Sequence, residues 1–401
     1  MRALQLYEGA MSGDQPSYLK LRYTIENLTK NPSAQIVRYG HARPGILSMA
    51  QGEGEAPTPD FIIQGALKAL QEGKTFYTPV LGIPELRQEI ANYYVREYGF
   101  SLPTDRIFVT ASGTTAIHLV LTALLDPGDE VVAVTPIWKN LLGATELQQA
   151  SIKEVALSCD QDGIWSLDLQ KLFDACTSKT KILLITTPSN PTGWTMAREE
   201  MKQVLDFARA NDLWIVSDEV YGRLVYDGSR APSFLDVAAP EDRLFTINSF
   251  SKAWAMTGWR LGWIVGPAEA ESAIYDIALY DNMCPPSFTQ YGAIEALRHG
   301  EAFLKEQITL WDNNRSVLKK RFDQMDRIRS AIPPATFYTL FQVDGEPDCL
   351  ALARRLIDEV GLCLAPGCSF GKIGRGSLRL CFAVSEAKLN DALDRLESAI
   401  G

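Results

Sequence analysis

The chain has 401 residues, a length that exceeds one hydrophobic core and predicts two domains. Hydrophobic residues make up 46% and charged residues 22%, as in a soluble globular enzyme, and this composition excludes general disorder. The formal net charge is −10 and no long basic run occurs, so neither nucleic acid nor an anionic membrane is expected as the main partner.

The seven cysteines form no Cys-x-x-Cys pair and are odd in number, which favours reduced thiols over a disulfide framework or a metal site. The first residues lack the apolar core of a signal peptide, and no apolar run is long enough to span a membrane. The three histidines are widely spaced, so we expect no metal centre. These features together predict a cytoplasmic protein.

In chain order, short β-rich runs alternate with helical ones from about residue 60 to residue 297. The clearest strands are nearly continuous apolar runs, as in a buried, mostly parallel sheet; they are residues 106–110, 130–134, 181–186 and 213–217. Helical apolar spacing marks residues 84–98, 114–125 and 197–211. After residue 301 a long helix, a strand at 336–341, a helix through 357, a strand at 378–382 and a closing helix predict a smaller α+β domain.

Polar turns follow several of these strands. Residues 110–116 leave a strand and open a helix at Ser112, Gly113 and Thr114, where free N–H groups suit a phosphate, although a simple helix cap is the alternative interpretation. Residues 187–193 carry Asn190 between two prolines, and a plain turn is the alternative there. Asp218 ends the next strand in an Asp-Glu pair, a pattern more often found in helix caps.

Lys252 lies in the most informative stretch, residues 249–260. Ser249 and Ser251 precede the lysine, and Arg260 follows it by eight residues with two tryptophans between them. Such a pattern suits an amine that is partly desolvated beside a phosphate, as an aldehyde-bound lysine is. A surface lysine with an unrelated arginine is the alternative.

This stretch resembles the Schiff-base segment of the class I/II aminotransferases, fold-type I pyridoxal-phosphate enzymes of the aspartate aminotransferase superfamily. The other motifs follow in the family's order from about residue 52 to residue 383. The resemblance implies an α/β fold whose large domain, residues 61–294, holds a mostly parallel seven-stranded sheet flanked by helices. It implies a smaller α+β domain built from residues 1–60 and 295–401.

The resemblance also implies the activity: an amino group moves between an α-amino acid and a 2-oxo acid through a Schiff base on Lys252, which then acts as the general base. Asp218 would keep the pyridine nitrogen protonated, Tyr221 and Asn190 would hydrogen-bond the phenolic oxygen, and Trp138 would stack on the ring. The implied phosphate contacts are Ser112, Gly113, Thr114, Ser249, Ser251, Arg260 and Tyr77 of the neighbouring subunit in a homodimer with shared sites.

The same resemblance assigns the substrate α-carboxylate to Arg379, whose fork-shaped guanidinium binds carboxylates bidentately, and to the backbone of Gly52. It also counts Asn190 among the substrate-binding residues. At position 54 a glycine replaces the family's proline. Enzymes of the prokaryotic aspartate type carry a lysine where this chain has Thr114, so we expect that aspartate is not the best donor. A substrate-facing Asp281 would favour a cationic or polar side chain; otherwise apolar contacts such as Ile36 and Trp138 would set the preference.

Two alternative functions share these residues. A pyridoxal-phosphate lyase, such as a carbon–sulfur lyase or another eliminating enzyme, uses the same cofactor contacts. A non-catalytic regulator on the same fold usually carries a basic DNA-binding module, and no segment of this chain resembles one.

Overall fold

The structure, a computed structural model, describes residues 21–161 and 163–400. The predictions about the N-terminal residues, including the absent signal peptide, lie outside this range. The described strands are β1 Leu47–Ser48, β2 Ile107–Thr110, β3 Glu130–Thr135, β4 Ser151–Ala156, β5 Ser158–Cys159, β6 Trp165–Ser166, β7 Thr180–Thr186, β8 Trp214–Asp218, β9 Leu244–Ser249, β10 Gly262–Val265, β11 Ile328–Ser330, β12 Tyr338–Val343, β13 Leu362–Cys363, β14 Ala365–Pro366 and β15 Ser377–Cys381.

Helices separate most of these strands. They are α1 Tyr23–Glu26, α2 Pro32–His41, α3 Asp60–Gln71, α4 Pro84–Tyr98, α5 Gly113–Leu124, α6 Lys139–Leu147, α7 Leu169–Asp174, α8 Arg198–Ala210, α9 Phe250–Ala253, α10 Glu271–Asp281, α11 Ser287–His299, α12 Glu301–Phe322, α13 Cys349–Val360 and α14 Glu386–Ile400. Within the described ranges, none of them is long and apolar enough to cross a membrane.

The large sheet has seven strands in the order β2-β10-β9-β8-β7-β3-β4, which confirms the predicted mostly parallel sheet. Only β10 runs against its neighbours, and the other six strands point the same way. Every residue of β2, β3, β9 and β10 is buried, because helices cover both faces of the sheet. The carboxyl ends of the parallel strands therefore meet at one edge.

The second sheet has the order β11-β12-β15-β14 and is antiparallel. In it Leu340 of β12 is paired with Arg379 of β15. A separate parallel pair joins β1, near the start of the chain, to β13, near its end. This pairing supports a small domain made from both ends of the chain, although the division at residues 60/61 and 294/295 stays a prediction.

The predicted helices lie where the apolar spacing placed them, within one residue at each end for α4, α5 and α8. Helix α4 begins with a proline in its first turn and ends at Gly99 in the left-handed conformation, both standard helix boundaries. The strand predicted at residues 336–341 instead begins at Tyr338. Thr336 has φ 65°, a left-handed conformation in which an extended strand cannot begin.

Asn314 of the long helix α12 holds this helix against the segment that follows Arg379. Its buried Nδ2 donates to the carbonyl oxygens of Phe382 at 2.9 Å and Val384 at 2.7 Å. We expect Asn314→Ala to lower the free energy of unfolding by about 2–4 kcal/mol, because two buried carbonyls lose their donor. Urea unfolding would measure the change. Asn390→Ala, which removes a single exposed helix contact, is the control and should change stability little; equal losses would contradict the prediction.

Candidate active site

A cavity of about 400 Å³ opens at the carboxyl edge of the large sheet, where the small sheet faces it. Most of the sequence-predicted site residues line it. These are Gly52, Gly113, Thr114, Trp138, Asn190, Asp218, Tyr221, Ser249, Ser251, Lys252, Arg260 and Arg379. Residues up to 327 positions apart in the chain are therefore brought to one cavity.

The parallel strands explain this convergence. Strand β2 leads to Gly113, β3 to Trp138, β7 to Asn190, β8 ends at Asp218, and β9 leads to Lys252. Because the carboxyl ends of parallel strands share an edge, residues that directly follow each strand meet there. Arg379 comes from the small sheet and closes the cavity from the opposite side.

Lys252 lies in the short helix α9, directly after β9. Its Nζ donates to the carbonyl oxygen of Gly52 at 2.7 Å. Burial lowers the pKa of the Lys252 ammonium to about 8, with the nearby charges of Arg379 and Arg260 adding to the effect. The neutral amine, which is both nucleophile and base, is therefore accessible near physiological pH.

Asp218 ends strand β8 and Glu219 follows it, and the two carboxyl groups lie in different surroundings. Asp218 lines the cavity, is 2% exposed and accepts a hydrogen bond from the Val220 backbone N–H at 3.3 Å. Burial raises the pKa of its carboxyl to about 7. A bound cation facing Asp218 would keep this carboxylate ionised, as a protonated ring nitrogen would.

Glu219 does not line the cavity. Its carboxylate accepts hydrogen bonds from the hydroxyls of Ser217 at 3.0 Å and Ser233 at 2.5 Å, and from the Phe234 backbone N–H at 3.1 Å. Burial raises its pKa to about 7 as well. These contacts give Glu219 a structural role, and Asp218 remains the acid of the cavity.

Tyr221, Asn190 and Arg379 form a hydrogen-bonded chain across the two sheets. Asn190 Nδ2 donates to the Tyr221 hydroxyl at 3.4 Å, and Arg379 Nη1 donates to Asn190 Oδ1 at 3.0 Å. Arg379 Nη2 donates to the carbonyl oxygen of Ala50. Within the described part of the chain, the buried Nε of Arg379 has no hydrogen-bond partner, so the guanidinium retains a donor for a ligand.

Tyr338 belongs to this chain of contacts and was missed by the sequence reasoning, which assigned it only to a strand. Its hydroxyl is 3.0 Å from that of Tyr221, and the Arg379 guanidinium lies 4.3 Å above its ring. A Cβ added to Gly52 would contact the Tyr338 hydroxyl, so a larger residue at 52 would displace it. No sequence signal separates this tyrosine from a core tyrosine, because its partners lie on other elements.

The start of helix α5 forms a polar cradle. Ser112 caps the helix by accepting the Thr115 N–H at 3.0 Å, while Gly113 and Thr114 line the cavity. Ser249 and Ser251 face the same space, and their hydroxyls are 2.9 Å apart. Strand β10 passes close behind: a Cβ on Gly262 would lie 2.7 Å from the Gly113 nitrogen. The arrangement leaves helix N–H groups and hydroxyls for an anion.

Three of the sequence-predicted residues do not line the cavity of their own chain. Ser112 acts as the helix cap, and Tyr77 is 82% exposed at the surface. Ile36 is 1% exposed and packs in the core, whereas its neighbour Val37 lines the cavity. Successive residues of a helix point about 100° apart, and sequence alone did not determine which of them faces inward.

Asp281 is likewise absent from this cavity. It ends helix α10, where one carboxylate oxygen is 3.8 Å from His118 Nε2 and the other accepts a hydrogen bond from Asn282 Nδ2 at 3.0 Å. Lys139, which directly follows Trp138, does line the cavity and was not singled out from the sequence. Its position at the start of a helix after a strand end was the available signal.

A family model described as aminotransferase class I and II matches residues 45–396. A probable aspartate aminotransferase of Methanocaldococcus jannaschii is 33% identical over 377 residues, covering 92% of this chain and 98% of that protein. Aromatic-amino-acid aminotransferase 2 of Thermococcus litoralis is 32% identical over 360 residues, covering 89% and 92%. The solved structure of aspartate aminotransferase from Thermus thermophilus with maleate has a TM-score of 0.88 and 30% identity, and covers 95% of this chain and 100% of that one.

In the cofactor-free protein we expect Asp218→Asn to raise the free energy of unfolding at pH 8. The pKa of the folded-state carboxyl is about 7 instead of 3.8, so the wild-type protein loses stability as the pH rises from 3.8 to about 7. The neutral amide avoids this loss, so the gain should be large at pH 8 and small at pH 4. Urea unfolding at both values measures it. The exposed Asp326→Asn is the control, and a gain independent of pH would count against the buried-acid interpretation.

Proposed function

The chain belongs to the aminotransferase class I and II family and is an aminotransferase that moves an amino group between an α-amino acid and a 2-oxo acid; we propose that it does so with pyridoxal phosphate bound in the cavity described above. Members of this family use that cofactor. The observation that carries the proposal is the convergence, in one cavity, of the Lys252 amine with its lowered pKa and the buried acid Asp218.

The donor set of the cavity fits the cofactor group by group. The N-terminus of α5, with Ser249, Ser251 and Arg260, offers N–H groups, hydroxyls and a full positive charge for the phosphate. Gly262 supports this fit, because any side chain there would push into the cradle. Asp218 would face the ring nitrogen, Tyr221 and Asn190 the phenolic oxygen, and Trp138 the face of the ring.

When bound, pyridoxal phosphate supplies an aldehyde that takes up the amino group and a ring that accepts the electron pair released at the substrate Cα. Lys252 Nζ would anchor the aldehyde, and once the substrate amine had displaced it, the neutral amine would take the proton from Cα and later return one. Its contact with the Gly52 carbonyl keeps the amine beside the residue proposed to meet the substrate carboxylate. The Asp218 carboxylate would stabilise a proton on the ring nitrogen, and this would favour removal of the Cα proton.

Arg379 is proposed to bind the substrate α-carboxylate. Its guanidinium is buried, lies between the rings of Tyr338 at 4.3 Å and Phe370 at 5.0 Å, and keeps its Nε without a partner among the described residues. A buried arginine with a free donor is well suited to a carboxylate. Gly52 has no side chain, so its backbone would allow the substrate α-carboxylate to approach closely.

We further propose a cytoplasmic homodimer with shared active sites. Phe76, Tyr77 and Tyr280 are each more than 80% exposed in the single chain, and large exposed aromatic side chains are typical of surfaces covered by a partner. Tyr77 would then reach the cofactor phosphate of the neighbouring subunit. All seven cysteines carry free thiols, which supports a reducing compartment.

Lys252→Ala should abolish transamination, lowering kcat by at least about 10³-fold, because the variant loses both the covalent anchor and the base. Binding of the cofactor through its phosphate should partly survive, since the cradle is unchanged. Turnover with amino acid and 2-oxo acid pairs, together with absorbance of bound cofactor, measures both effects. The exposed Lys202→Ala is the matched control. An alanine variant that is active without an added amine would refute the assignment.

Arg260→Ala and Tyr77→Phe should both weaken cofactor binding, the arginine by about tenfold to a hundredfold because it supplies a full charge to a dianion. Fluorescence titration of the cofactor-free proteins measures both affinities. In a dimer with shared sites, mixing Tyr77→Ala with Lys252→Ala subunits should restore at most about a quarter of wild-type activity, through heterodimers with one intact site. A fully active monomer in sedimentation would contradict the shared-site arrangement.

A further inference from the structure

The cavity lining includes a lysine ammonium that the contacts proposed for the cofactor and the α-carboxylate leave unused. Lys139 begins helix α6, lines the cavity and is 8% exposed. Its Nζ donates to Glu146 Oε1 at 2.9 Å, two turns further along the same helix. An ammonium has three N–H donors, and this is the one hydrogen bond that the described residues provide for it. Two donors are therefore available to a ligand.

The charged residues around the cavity indicate an anionic ligand group next to Lys139. The charged residues that line it are Lys139, Lys252, Arg260, Arg379 and Asp218. Under the proposed function, Arg260 neutralises the phosphate, Arg379 binds the α-carboxylate, and Lys252 and Asp218 serve the aldehyde and the ring. Lys139 alone has no counterpart in the cofactor or in the common part of an amino acid. A carboxylate in the substrate side chain would supply one.

Glu146, the partner of Lys139, also contacts a second element. The segment before α2 contacts the helix that carries Lys139, because the Thr29 backbone N–H donates to Glu146 Oε2 at 2.9 Å. Glu146 thus uses one oxygen to orient Lys139 and the other to hold the chain that leads into α2.

We propose that Lys139 is the specificity-determining residue of this aminotransferase and that it binds a carboxylate at the far end of the substrate side chain. This proposal rests on the proposed function and names its substrate class: amino acids and 2-oxo acids with two carboxylates. It revises the sequence-based expectation that aspartate is not the best donor. That expectation assumed that the missing charge had to stand at position 114, whereas the cavity receives a lysine from a different element.

Glu146 makes the proposal testable in two directions. Its carboxylate competes with the substrate carboxylate for Lys139, so Glu146→Gln should strengthen binding of a dicarboxylate. The amide oxygen of glutamine can still accept from the Thr29 N–H, so the segment before α2 keeps its contact. Lys139→Met removes the charge but keeps the apolar stem, and it should weaken the same ligand.

The probe is succinate, which has two carboxylates and no amino group, compared with succinamate, in which one carboxylate is an amide. Isothermal titration of the cofactor-loaded protein gives both dissociation constants without turnover. We expect the wild-type protein to prefer succinate by about tenfold to a hundredfold, Lys139→Met to lose this preference, and Glu146→Gln to increase it. Lys153→Met is the matched control, because Lys153 pairs with Glu130 away from the cavity.

Steady-state kinetics provide the second readout. In Lys139→Met, KM for aspartate and glutamate should rise by the factor that is lost in succinate binding. The kcat values, and KM for alanine and phenylalanine, should stay within about threefold of those of the wild type. Equal binding of succinate and succinamate by the wild-type protein would overturn the proposal, as would a loss in Lys139→Met that is equal for all donors. If Lys139→Met does not fold, a Glu146→Gln protein that prefers succinate over succinamate no more strongly than the wild type overturns the proposal by itself. An enzyme without transaminase activity would refute the proposed function, yet the binding preference for succinate would still be measurable.

Discussion

The common direction of the strands is the constraint on which the site depends. Except for β10, the strands of the large sheet are parallel, so each one delivers the residue after its carboxyl end to the same edge. The polar residues there would be costly to bury singly. Around one cavity, these residues hydrogen-bond to one another or keep donors and acceptors for ligands. The reversed strand β10 fits only because Gly262 allows it to pass directly behind the loop at Gly113.

The second sheet completes the cavity by contributing groups that the first cannot supply. Arg379 and Tyr338 come from adjacent strands of the small sheet and contact Asn190 and Tyr221 of the large one. These hydrogen bonds cross between the two sheets, so the geometry of the substrate side depends on how the sheets face each other. A buried guanidinium without such partners would destabilise the protein, which links folding to the arrangement of the site.

The pKa values and charges of the lining residues determine which chemistry the cavity can support. Burial shifts the acid and the amine in opposite ways: the pKa of Asp218 is raised to about 7 and that of Lys252 is lowered to about 8. Without a ligand, both groups therefore titrate near neutrality. Four cations and one acid line the cavity, and of the cations Lys139 is paired with Glu146 just outside the lining. The remaining positive charge suits an anionic ligand such as a phosphate.

Apolar periodicity, which is a local signal, determined the boundaries of the strongest helices from the sequence alone. The resemblance of the strand-end motifs to one family indicated the fold class and twelve of the residues that line the cavity. Tertiary structure decided the rest. Whether Ile36 or Val37 faces the cavity depends on the rotation of one helix against its neighbours, and Thr336 delays a strand through a backbone conformation that residue type does not reveal. Tyr338 and Lys139 look like a core tyrosine and a helix-start lysine along the chain. Only the folded chain brings Tyr338 to Tyr221 and Arg379 and places Lys139 at the cavity.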